Sequence, residues 1–294
     1  MLSPVGSDGS ISLDPLFCDL SGGDLHLVLP EAAREGNDPG MKPSERALYE
    51  IRENWERFTL TPFLAEKIRL IGAMLPAGVR TILDVGCGNG LITNALGNRG
   101  WVVGLDWSRE ALAFVQGNRV CASSGALPIR AGRFDLLLSS ELLEHLEETD
   151  FLATIGELAC LAPRYLLLSV PNAENTRVNQ LRCPTCGRIF NASHHQRSFT
   201  ASSLAARFPA YRVAGTALGG QPVRSYPRAL LTLRQRLAGR WFQVPPERIV
   251  MCPECGNRDF PRTPHNPLSF LFDGLNRLIS RRHPYWLFLL LERK

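Results

Sequence analysis

Short apolar segments alternate with helical segments through most of this chain, which restricts it to a small set of folds. The segments that read as strands span residues 81–86, 101–106, 119–122, 134–140, 165–172, 211–220 and 285–294. The segments that read as helices span residues 90–100, 108–118, 150–162 and 199–208, with a further helix from the end of the fourth strand to about His145. This spacing predicts an α/β fold with a doubly wound, seven-stranded and mostly parallel sheet.

A glycine-rich loop, DVGCGNG at residues 84–90, follows the first of these strands. A loop that binds a pyrophosphate relies on backbone N–H groups and a helix N-terminus, and an acid within it would repel the anion. Here Asp84 directly precedes the glycines, which favours a ligand with an ammonium or sulfonium group. Asp106 ends the second strand, where a carboxylate can accept two hydrogen bonds from a ribose diol, and Trp107 can cover an adenine ring. Together these features predict S-adenosylmethionine as the ligand.

These residues closely resemble the class I methyltransferase family. TILDVGCGNGLIT and VVGLDWS match its first two motifs, and GALPI, FDLLLSSELLEHL and LLLSVPN continue the match in order over residues 80–215. The resemblance implies a Rossmann-like S-adenosylmethionine-dependent methyltransferase (EC 2.1.1.-), with a donor site formed by Asp84, Gly86, Cys87, Gly88, Gly90, Asp106, Trp107, Ser123 and Ser140. The family often has an acid after the third strand to bind the adenine amine. Ser123 stands there instead, so a hydroxyl or a backbone group has to take that role.

Two Cys-Pro-x-Cys-Gly segments have the spacing of zinc-binding turns: Cys183 with Cys186, and Cys252 with Cys255. One follows the fifth predicted strand and the other the sixth, so both should leave the sheet at its carboxyl edge. Four thiolates satisfy a structural zinc ion and leave no open position for a substrate. The pattern predicts one structural Zn²⁺ that ties two long insertions, which lack a core of their own, into a lid. A redox pair or unrelated free thiols are the alternatives.

A second set of polar residues is predicted at the same edge. Glu141, Glu144 and His145 follow the fourth strand, where a helix would place them on one face, and His195 lies in the loop after the next strand. The set resembles that of the metal-dependent branch of the family, in which such residues hold a divalent cation (Mg²⁺ or similar) that orients the hydroxyl to be methylated. In the metal-free alternative, His145 or His195 is the general base, and a purely structural role for the histidines is the third interpretation.

The motifs divide the chain into four parts. Residues 1–43 read as an irregular appendage, and residues 44–220 as the methyltransferase core, which opens with a helix from Ser44 and a second helix with Pro62 in its first turn. Residues 173–199 and 221–283 form the two insertions of the lid, and residues 284–294 the final strand. Core packing is the favoured role for the apolar stretch at residues 268–279, and lining of the acceptor site the alternative.

Composition and charge bear on location and partners. No signal peptide or membrane-spanning segment is recognisable, which predicts a cytoplasmic protein. The net charge is +5, the first forty or so residues are acidic, and the last seventy or so are rich in arginine. We expect O-methylation of a small-molecule, glycan or lipid-linked acceptor in biosynthesis. An RNA methyltransferase whose basic lid grips RNA, and a non-catalytic binding module, are the alternatives; the sequence does not address the oligomeric state.

Overall fold

The computed structural model of this chain describes residues 47–161, 163–246 and 248–294. The predicted appendage at residues 1–43 lies outside these ranges, as does the start of the helix expected from Ser44. Within the described part that helix is interrupted after residue 49 and resumes as α1, Arg52–Arg57. The Tyr49 carbonyl accepts hydrogen bonds from the Trp55 indole (2.6 Å) and the Ser108 hydroxyl (2.8 Å), tertiary bonds that replace those of a continuous helix.

The other helices and strands follow in the predicted alternation. The helices are α2 (Pro62–Met74), α3 (Leu91–Leu96), α4 (Arg109–Leu112), α5 (Glu148–Cys160), α6 (Ala201–Ala205), α7 (Arg228–Leu237) and α8 (Pro267–Ile279). The strands are β1 (Thr81–Val85), β2 (Trp101–Asp106), β3 (Asn118–Cys121), β4 (Leu136–Ser140), β5 (Tyr165–Pro171), β6 (Gln180–Arg182), β7 (Ile189–Asn191), β8 (Tyr211–Arg224) and β9 (Arg282–Arg293). Pro62 is the first residue of α2, as predicted.

Seven of these strands form one sheet in the order β3-β2-β1-β4-β5-β9-β8. The first five strands along the chain pair in parallel, and β9 lies antiparallel between β5 and β8. This arrangement confirms the predicted Rossmann-like fold. It also makes β5 and β8 parallel to each other, so the segments that follow them leave the sheet at the same edge, as expected.

The sheet is buried on both faces because successive side chains of a strand point to opposite sides. Leu83 of β1 packs in the cluster on the α5 and α6 side, and its neighbour Ile82 packs in the cluster on the α2 side. Helices therefore cover both faces, and the carboxyl edge of the parallel strands stays available for function. Among the described residues, no helix combines the length and apolar character needed to cross a membrane.

The predicted helix after β4 is wrong. Residues 141–147 form successive turns, and Glu141 has a φ of 55°. Their backbone groups bond to distant parts of the chain: Glu141 N donates to Ser169 O (2.9 Å), and Gln196 N donates to Glu144 O (2.7 Å). Arg197 donates to the carbonyls of Leu143 and Leu146. These tertiary hydrogen bonds hold the segment in its non-helical shape.

Other boundaries also differ from the sequence-based ones. The sixth strand of the sheet, β8, continues to Arg224, and the closing strand begins at Arg282, so the segment between them is shorter than residues 221–283. The predicted second helix after the glycine loop is only the four residues of α4. The segment around the first cysteine pair, expected to be irregular, forms the antiparallel hairpin of β6 and β7.

Candidate functional site

The glycine loop connects β1 to α3 at the carboxyl edge of the sheet. Gly86, Gly88 and Gly90 have φ values of 75°, 55° and 74°, a region that disfavours L side chains. A Cβ on Gly86 would lie 2.9 Å from Leu142 Cδ1, and one on Gly90 would lie 2.8 Å from Val115 Cγ2. The loop therefore needs glycine for its conformation and for close packing.

Cys87 contributes its backbone to this loop. Its amide donates to Leu105 O (3.0 Å), and its Sγ lies 2.9 Å from where a Cβ on Gly104 would be, so the thiol packs towards β2. Burial raises the pKa of this thiol well above its ordinary value. The side chain is thus a small packing group held in its neutral form.

Asp84 lies beneath the loop, with only 1% of its surface exposed. Thr93 Oγ1, in α3, donates to Asp84 Oδ2 at 2.7 Å. Burial raises the Asp84 pKa to about 6, against the lowering effect of the Thr93 hydrogen bond. Because Asp84 is buried beneath the loop, its carboxylate can act on a ligand only through its charge, across the loop backbone. Its hydrogen bond with Thr93 connects β1 to α3.

Asp106 lies at the end of β2, next to the loop. Its Oδ2 accepts from Gly88 N (2.8 Å) and its Oδ1 accepts from Ser108 N (2.9 Å). Each oxygen has a second lone-pair direction, so the carboxylate keeps acceptor capacity for a diol while the two amides orient it. Burial raises the Asp106 pKa to about 6, opposed mainly by these backbone hydrogen bonds. A nucleoside with free ribose hydroxyls fits this environment.

Three aromatic rings lie beside the predicted adenine region. Tyr49 contacts Trp107 edge-on (centroids 5.9 Å apart) and Trp55 at a tilt (6.3 Å). Trp55 also covers the loop, since a Cβ on Gly88 would lie 3.0 Å from its ring, and Asn89 Nδ2 donates to Trp55 O at 3.0 Å. The sequence analysis singled out Trp107 only. Tyr49 and Trp55 belong to no recognisable motif and lie far from the glycine loop in the sequence, so the sequence gives no signal that places them here.

Ser123 and Ser140, the remaining predicted donor-site residues, follow β3 and end β4. Ser123 Oγ accepts from Gly125 N at 3.2 Å and so shapes the turn after β3. Ser140 Oγ is buried and has no hydrogen-bond partner within the described residues, as is also true of Ser169 Oγ on the neighbouring strand β5. Buried hydroxyls of this kind are normally satisfied, so this edge has acceptors and donors left for a ligand or water.

Beside β4, the turn at residues 141–147 separates its two glutamates. Glu141 Oε1 lies 3.1 Å from Nζ of Lys67, a lysine of α2 that is almost fully buried. Glu144 is completely buried, and neither of its carboxylate oxygens has a hydrogen-bond partner among the described residues. Burial, reinforced by Glu141, raises the Glu144 pKa well above its ordinary value. The expected common face of Glu141, Glu144 and His145 is therefore wrong, because the segment is not a helix and Lys67 holds Glu141.

Glu144, His145 and His195 nevertheless converge, with one ligand atom of each within 4.8 Å of the others. The rings of His145 and His195 meet edge to face with centroids 4.7 Å apart. Burial and the two nearby histidines, His195 and His194, lower the His145 pKa well below its ordinary value, which favours neutral imidazole. A buried, unpartnered carboxylate with two imidazoles fits a divalent cation, and it equally fits a metal-free acid–base cluster.

Glu174, which the sequence analysis missed, orients the predicted base. Its Oε2 lies 2.5 Å from Nδ1 of His195, and Asn179 Nδ2 donates to its other oxygen at 3.5 Å. When Glu174 accepts from Nδ1–H, the proton is fixed there and Nε2 of His195 is an acceptor for a proton or a metal. Glu174 stands directly after the fifth strand motif, but no spacing rule relates it to His195.

Glu174 also lines a cavity of about 110 Å³ between the ends of β5, β8 and β9. Arg224, His283 and Tyr285 lie in its wall. Burial, together with the carboxylates of Glu141 and Glu174, raises the Tyr285 pKa, so the phenol stays protonated as a hydrogen-bond donor. This cavity is a recess with mostly apolar walls and a few polar groups, beside the Glu174–His195 pair.

The four cysteines of the two Cys-Pro-x-Cys-Gly segments form one cluster. One Sγ of each lies within 4.8 Å of the others, and the pairs Cys183–Cys255 and Cys186–Cys252 are each 3.6 Å apart. That separation is far from the S–S bond of about 2.05 Å. It is close to the edge of a tetrahedron with Zn–S bonds of about 2.3 Å, which is about 3.8 Å. The predicted convergence of the two segments is confirmed, and the donor set fits zinc.

The two segments also have the same backbone geometry. Gly187 N donates to Cys183 O (3.0 Å) and Gly256 N donates to Cys252 O (2.9 Å), and both glycines have a positive φ. The expectation that the insertions lack a core is wrong: around the cysteines is a separate apolar cluster of Leu181, Cys183, Phe190, Ala192, Val250 and Cys252, with Phe242, Val244 and Phe260 packed against it. This small apolar core therefore packs the two cysteine segments against each other.

Residues 83–159 match the family model of the methyltransferase domain. No curated protein matches the chain in sequence. A structure of an S-adenosylmethionine-dependent methyltransferase from Archaeoglobus fulgidus is 13% identical, has a TM-score of 0.47, and aligns over 77% of this chain and 91% of its own.

Two further solved structures are similar at this level. An S-adenosylmethionine-dependent methyltransferase from Mesorhizobium loti is 18% identical, with a TM-score of 0.43 and coverage of 76% of this chain and 96% of its own. The 1,6-didemethyltoxoflavin-N1-methyltransferase of Burkholderia thailandensis is 17% identical, with a TM-score of 0.45 and coverage of 86% and 90%.

Proposed function

We propose that this chain, in which residues 83–159 match the methyltransferase domain model, transfers a methyl group from S-adenosylmethionine to an oxygen acceptor. The observation that carries the proposal is the pairing of two adjacent sites at one edge of the sheet. The glycine loop with Asp106 provides a nucleoside site, and the Glu144–His145–His195 cluster provides acid–base or metal chemistry beside it. Bound donor would supply the electrophilic methyl group, and no covalent enzyme intermediate is required.

In the proposed donor site, Asp106 binds the ribose hydroxyls, the glycine backbone lies along the nucleoside, and Trp107 with Tyr49 flanks the base. The hydrogen bond between Thr93 and Asp84 fixes the position of α3 relative to β1 beneath the loop. Positioning of donor and acceptor in line can contribute about 7–11 kcal/mol to lowering the barrier. The methyl carbon needs little further activation by the protein, so the remaining chemical requirement is activation of the acceptor oxygen.

We propose that His195 activates that oxygen. An alcohol has a high pKa, so it needs a base or a cation nearby when the new C–O bond forms. Nε2 of His195 accepts the hydroxyl proton, and Glu174 on Nδ1 stabilises the resulting imidazolium and keeps the ring oriented. In the alternative mechanism, Glu144, His145 and His195 would hold a divalent cation such as Mg²⁺, which would supply Lewis-acid activation of the hydroxyl. Loss of turnover on treatment with a chelator, restored by Mg²⁺ but not by Zn²⁺, would support the cation; unchanged turnover would support the base.

The acceptor class remains a proposal based on the cavity. Arg224, His283 and protonated Tyr285 can bind phosphate or hydroxyl groups of a small-molecule, glycan or lipid-linked acceptor. The cavity adjoins Glu174, the residue that orients the proposed base. Methylation within a biosynthetic reaction sequence, and a cytoplasmic location, stay predictions.

We propose that the four cysteines hold one structural Zn²⁺. The ion would join the segment after β5, residues 173–199, to the segment after β8. The two segments together would form a lid over the core, for which we propose residues 44–220. Four thiolates leave no open coordination position, so the metal orders the lid and takes no part in methyl transfer.

An RNA acceptor is the alternative function, and exposed arginines next to the cysteine turns favour it. Arg182, Arg188 and Arg258 are exposed around the zinc-binding turns. If RNA were the substrate, its binding would weaken steeply with salt because phosphate contacts release counterions. Binding of a neutral acceptor would change little.

The direct test is calorimetry of the purified chain with S-adenosylmethionine and with its demethylated product, followed by incubation of labelled donor with sugars, lipids and RNA. Heat with both nucleosides and label transfer to a hydroxyl compound are expected. Binding of a nicotinamide or flavin dinucleotide with no heat from the donor would overturn the proposal, as would donor binding without transfer to any acceptor, which would indicate a binding module.

A further inference from the structure

The lid helix α8 presents its apolar side outwards. Leu268, Leu271, Leu275, Leu278 and Ile279 are exposed and follow the i, i+3, i+7, i+10, i+11 spacing of one helical face. Leu278 is 83% exposed. Of the fourteen large hydrophobic side chains that are exposed in the described residues, eight lie on α7 and α8: Leu233, Leu237, Leu268, Phe270, Leu271, Leu275, Leu278 and Ile279. Single exposed leucines are ordinary, but such a concentration marks an interaction surface.

A narrow side of α8, adjacent to the exposed leucines, faces the protein. Ser269 and Asn276 are buried there, beside Phe272. At the start of the helix, Asn266 Nδ2 donates to Ala238 O (2.8 Å), and at its end Arg224 Nη1 donates to Ser280 O (2.7 Å). The helix is therefore held at both ends and along this narrow side, and most of its apolar side chains stay outside the core.

The charge around this face is positive. Arg277, Arg281 and Arg282 are exposed at the C-terminal end of α8, and Arg228 and Arg236 are exposed on α7, which packs against it. Asp273 is the one acidic residue between residues 260 and 283, and its Oδ1 lies 2.8 Å from Arg234 Nε. The surface thus combines aliphatic side chains with arginines whose charge no acid of these two helices offsets.

We propose that α8, with α7 beside it, docks on the surface of an anionic lipid bilayer. Its leucines and isoleucine enter the acyl boundary, and the arginines contact lipid phosphates, as in helices that lie in the plane of a membrane interface. Arg224 connects this face to the site, since it both caps the end of α8 and lines the cavity beside Glu174. Docking would bring the cavity to the level of lipid headgroups. Such docking does not depend on methyl transfer.

Vesicle flotation with the full chain tests this proposal. Vesicles of equal parts phosphatidylcholine and phosphatidylglycerol should carry the protein upwards, and vesicles of phosphatidylcholine alone should carry much less. The double variant Leu271→Ser with Leu278→Ser should bind the mixed vesicles about tenfold more weakly or worse, because apolar burial is lost. Arg281→Gln with Arg282→Gln should reduce the preference for phosphatidylglycerol.

The matched control is Leu152→Ser on α5, which removes a leucine that is 53% exposed outside the lid. It should float like the wild type, and all variants should keep the wild-type melting temperature and the wild-type heat with the demethylated donor. A wild type that does not float, or a double variant that floats equally well, would contradict the proposal. So would light scattering that shows a wild-type dimer and a monomeric double variant, because the face would then bind a second copy of the chain.

Discussion

Nδ1 of His195 lies 2.5 Å from Oε2 of Glu174, and this contact sets which nitrogen of the imidazole faces the Glu144–His145–His195 cluster. The two residues are nearly buried, and the hairpin of β6 and β7 separates them in the chain. A carboxylate on Nδ1 leaves Nε2 to accept a proton or a cation, so the proposed role of His195 depends on Glu174.

Glu174→Gln should lower kcat about tenfold to hundredfold, because the base is then no longer held in the right orientation. His195→Ala should lower kcat about 10²–10⁴-fold, because the base itself is removed. Steady-state kinetics with the acceptor found in the labelling experiment gives the measurement. Glu174→Asp should restore part of the activity.

A structural role for Glu174 would give a different pattern. In that case the Gln variant would lose thermal stability and donor affinity along with kcat. Our prediction requires unchanged donor affinity and a changed pH profile of kcat, so an unchanged profile would contradict the positioning role.

Asp106→Asn should weaken binding of the demethylated donor about tenfold to hundredfold, because a charged acceptor for the ribose hydroxyls becomes a neutral one. Calorimetry measures the Kd. Asp259→Asn, which changes an exposed carboxylate on the lid, is the matched control and should bind normally. Equal Kd values for wild type and Asp106→Asn would show that Asp106 does not bind the donor.

Donor affinity should fall as the pH is lowered through about 6, since burial raises the Asp106 pKa to about 6 and the protonated acid is the weaker acceptor. Calorimetry between about pH 5 and about pH 8 should show this loss in the wild type and a flatter profile in Asp106→Asn. A profile with the same slope in both proteins would assign the titration to another group.

The ligand-free chain should respond to pH in the opposite sense. The pKa values of Asp84 and Asp106 are raised from 3.8 to about 6, so the folded state binds more protons than the unfolded state between these values. This contribution to the free energy of unfolding is fully present below the unfolded pKa and is lost as the pH rises through about 6. Denaturant titrations across that range measure it, and a variant with Asn at both positions should have a smaller slope, with Glu144, whose pKa is also raised, contributing to what remains.

Cys186→Ser and Cys255→Ser should each abolish the binding of one zinc ion per chain and lower the melting temperature by several degrees, because a tetrathiolate site needs all four ligands. Metal analysis and thermal unfolding measure the two effects. Cys160→Ser replaces an exposed cysteine of α5 outside the cluster and should change neither. Purified wild-type chain without zinc, when expressed with zinc present, would contradict the site.

Much of this architecture could be predicted because its signals are local. Each strand of the sheet is a short apolar run, and the glycine loop and the two cysteine turns are each contained in a few adjacent residues. The turn at residues 141–147 was mistaken for a helix because its periodicity is helical, whereas Arg197 and Gln196, some fifty residues later, supply the hydrogen bonds that decide its shape. The apolar residues of α8 were expected to be in a core, and periodicity alone does not say which side of a helix faces the protein.

The sequence by itself determined the order of the elements, the loop and acid proposed for the donor, and the two halves of the cysteine cluster, because these depend on the conformational preferences of neighbouring residues. Tertiary structure alone decided that Lys67 pairs with Glu141, that Glu174 orients His195, and that α8 shows its leucines to the outside. Those relationships join residues far apart in the chain, and they form only because packing of the sheet and its helices brings particular atoms within a few ångströms of each other.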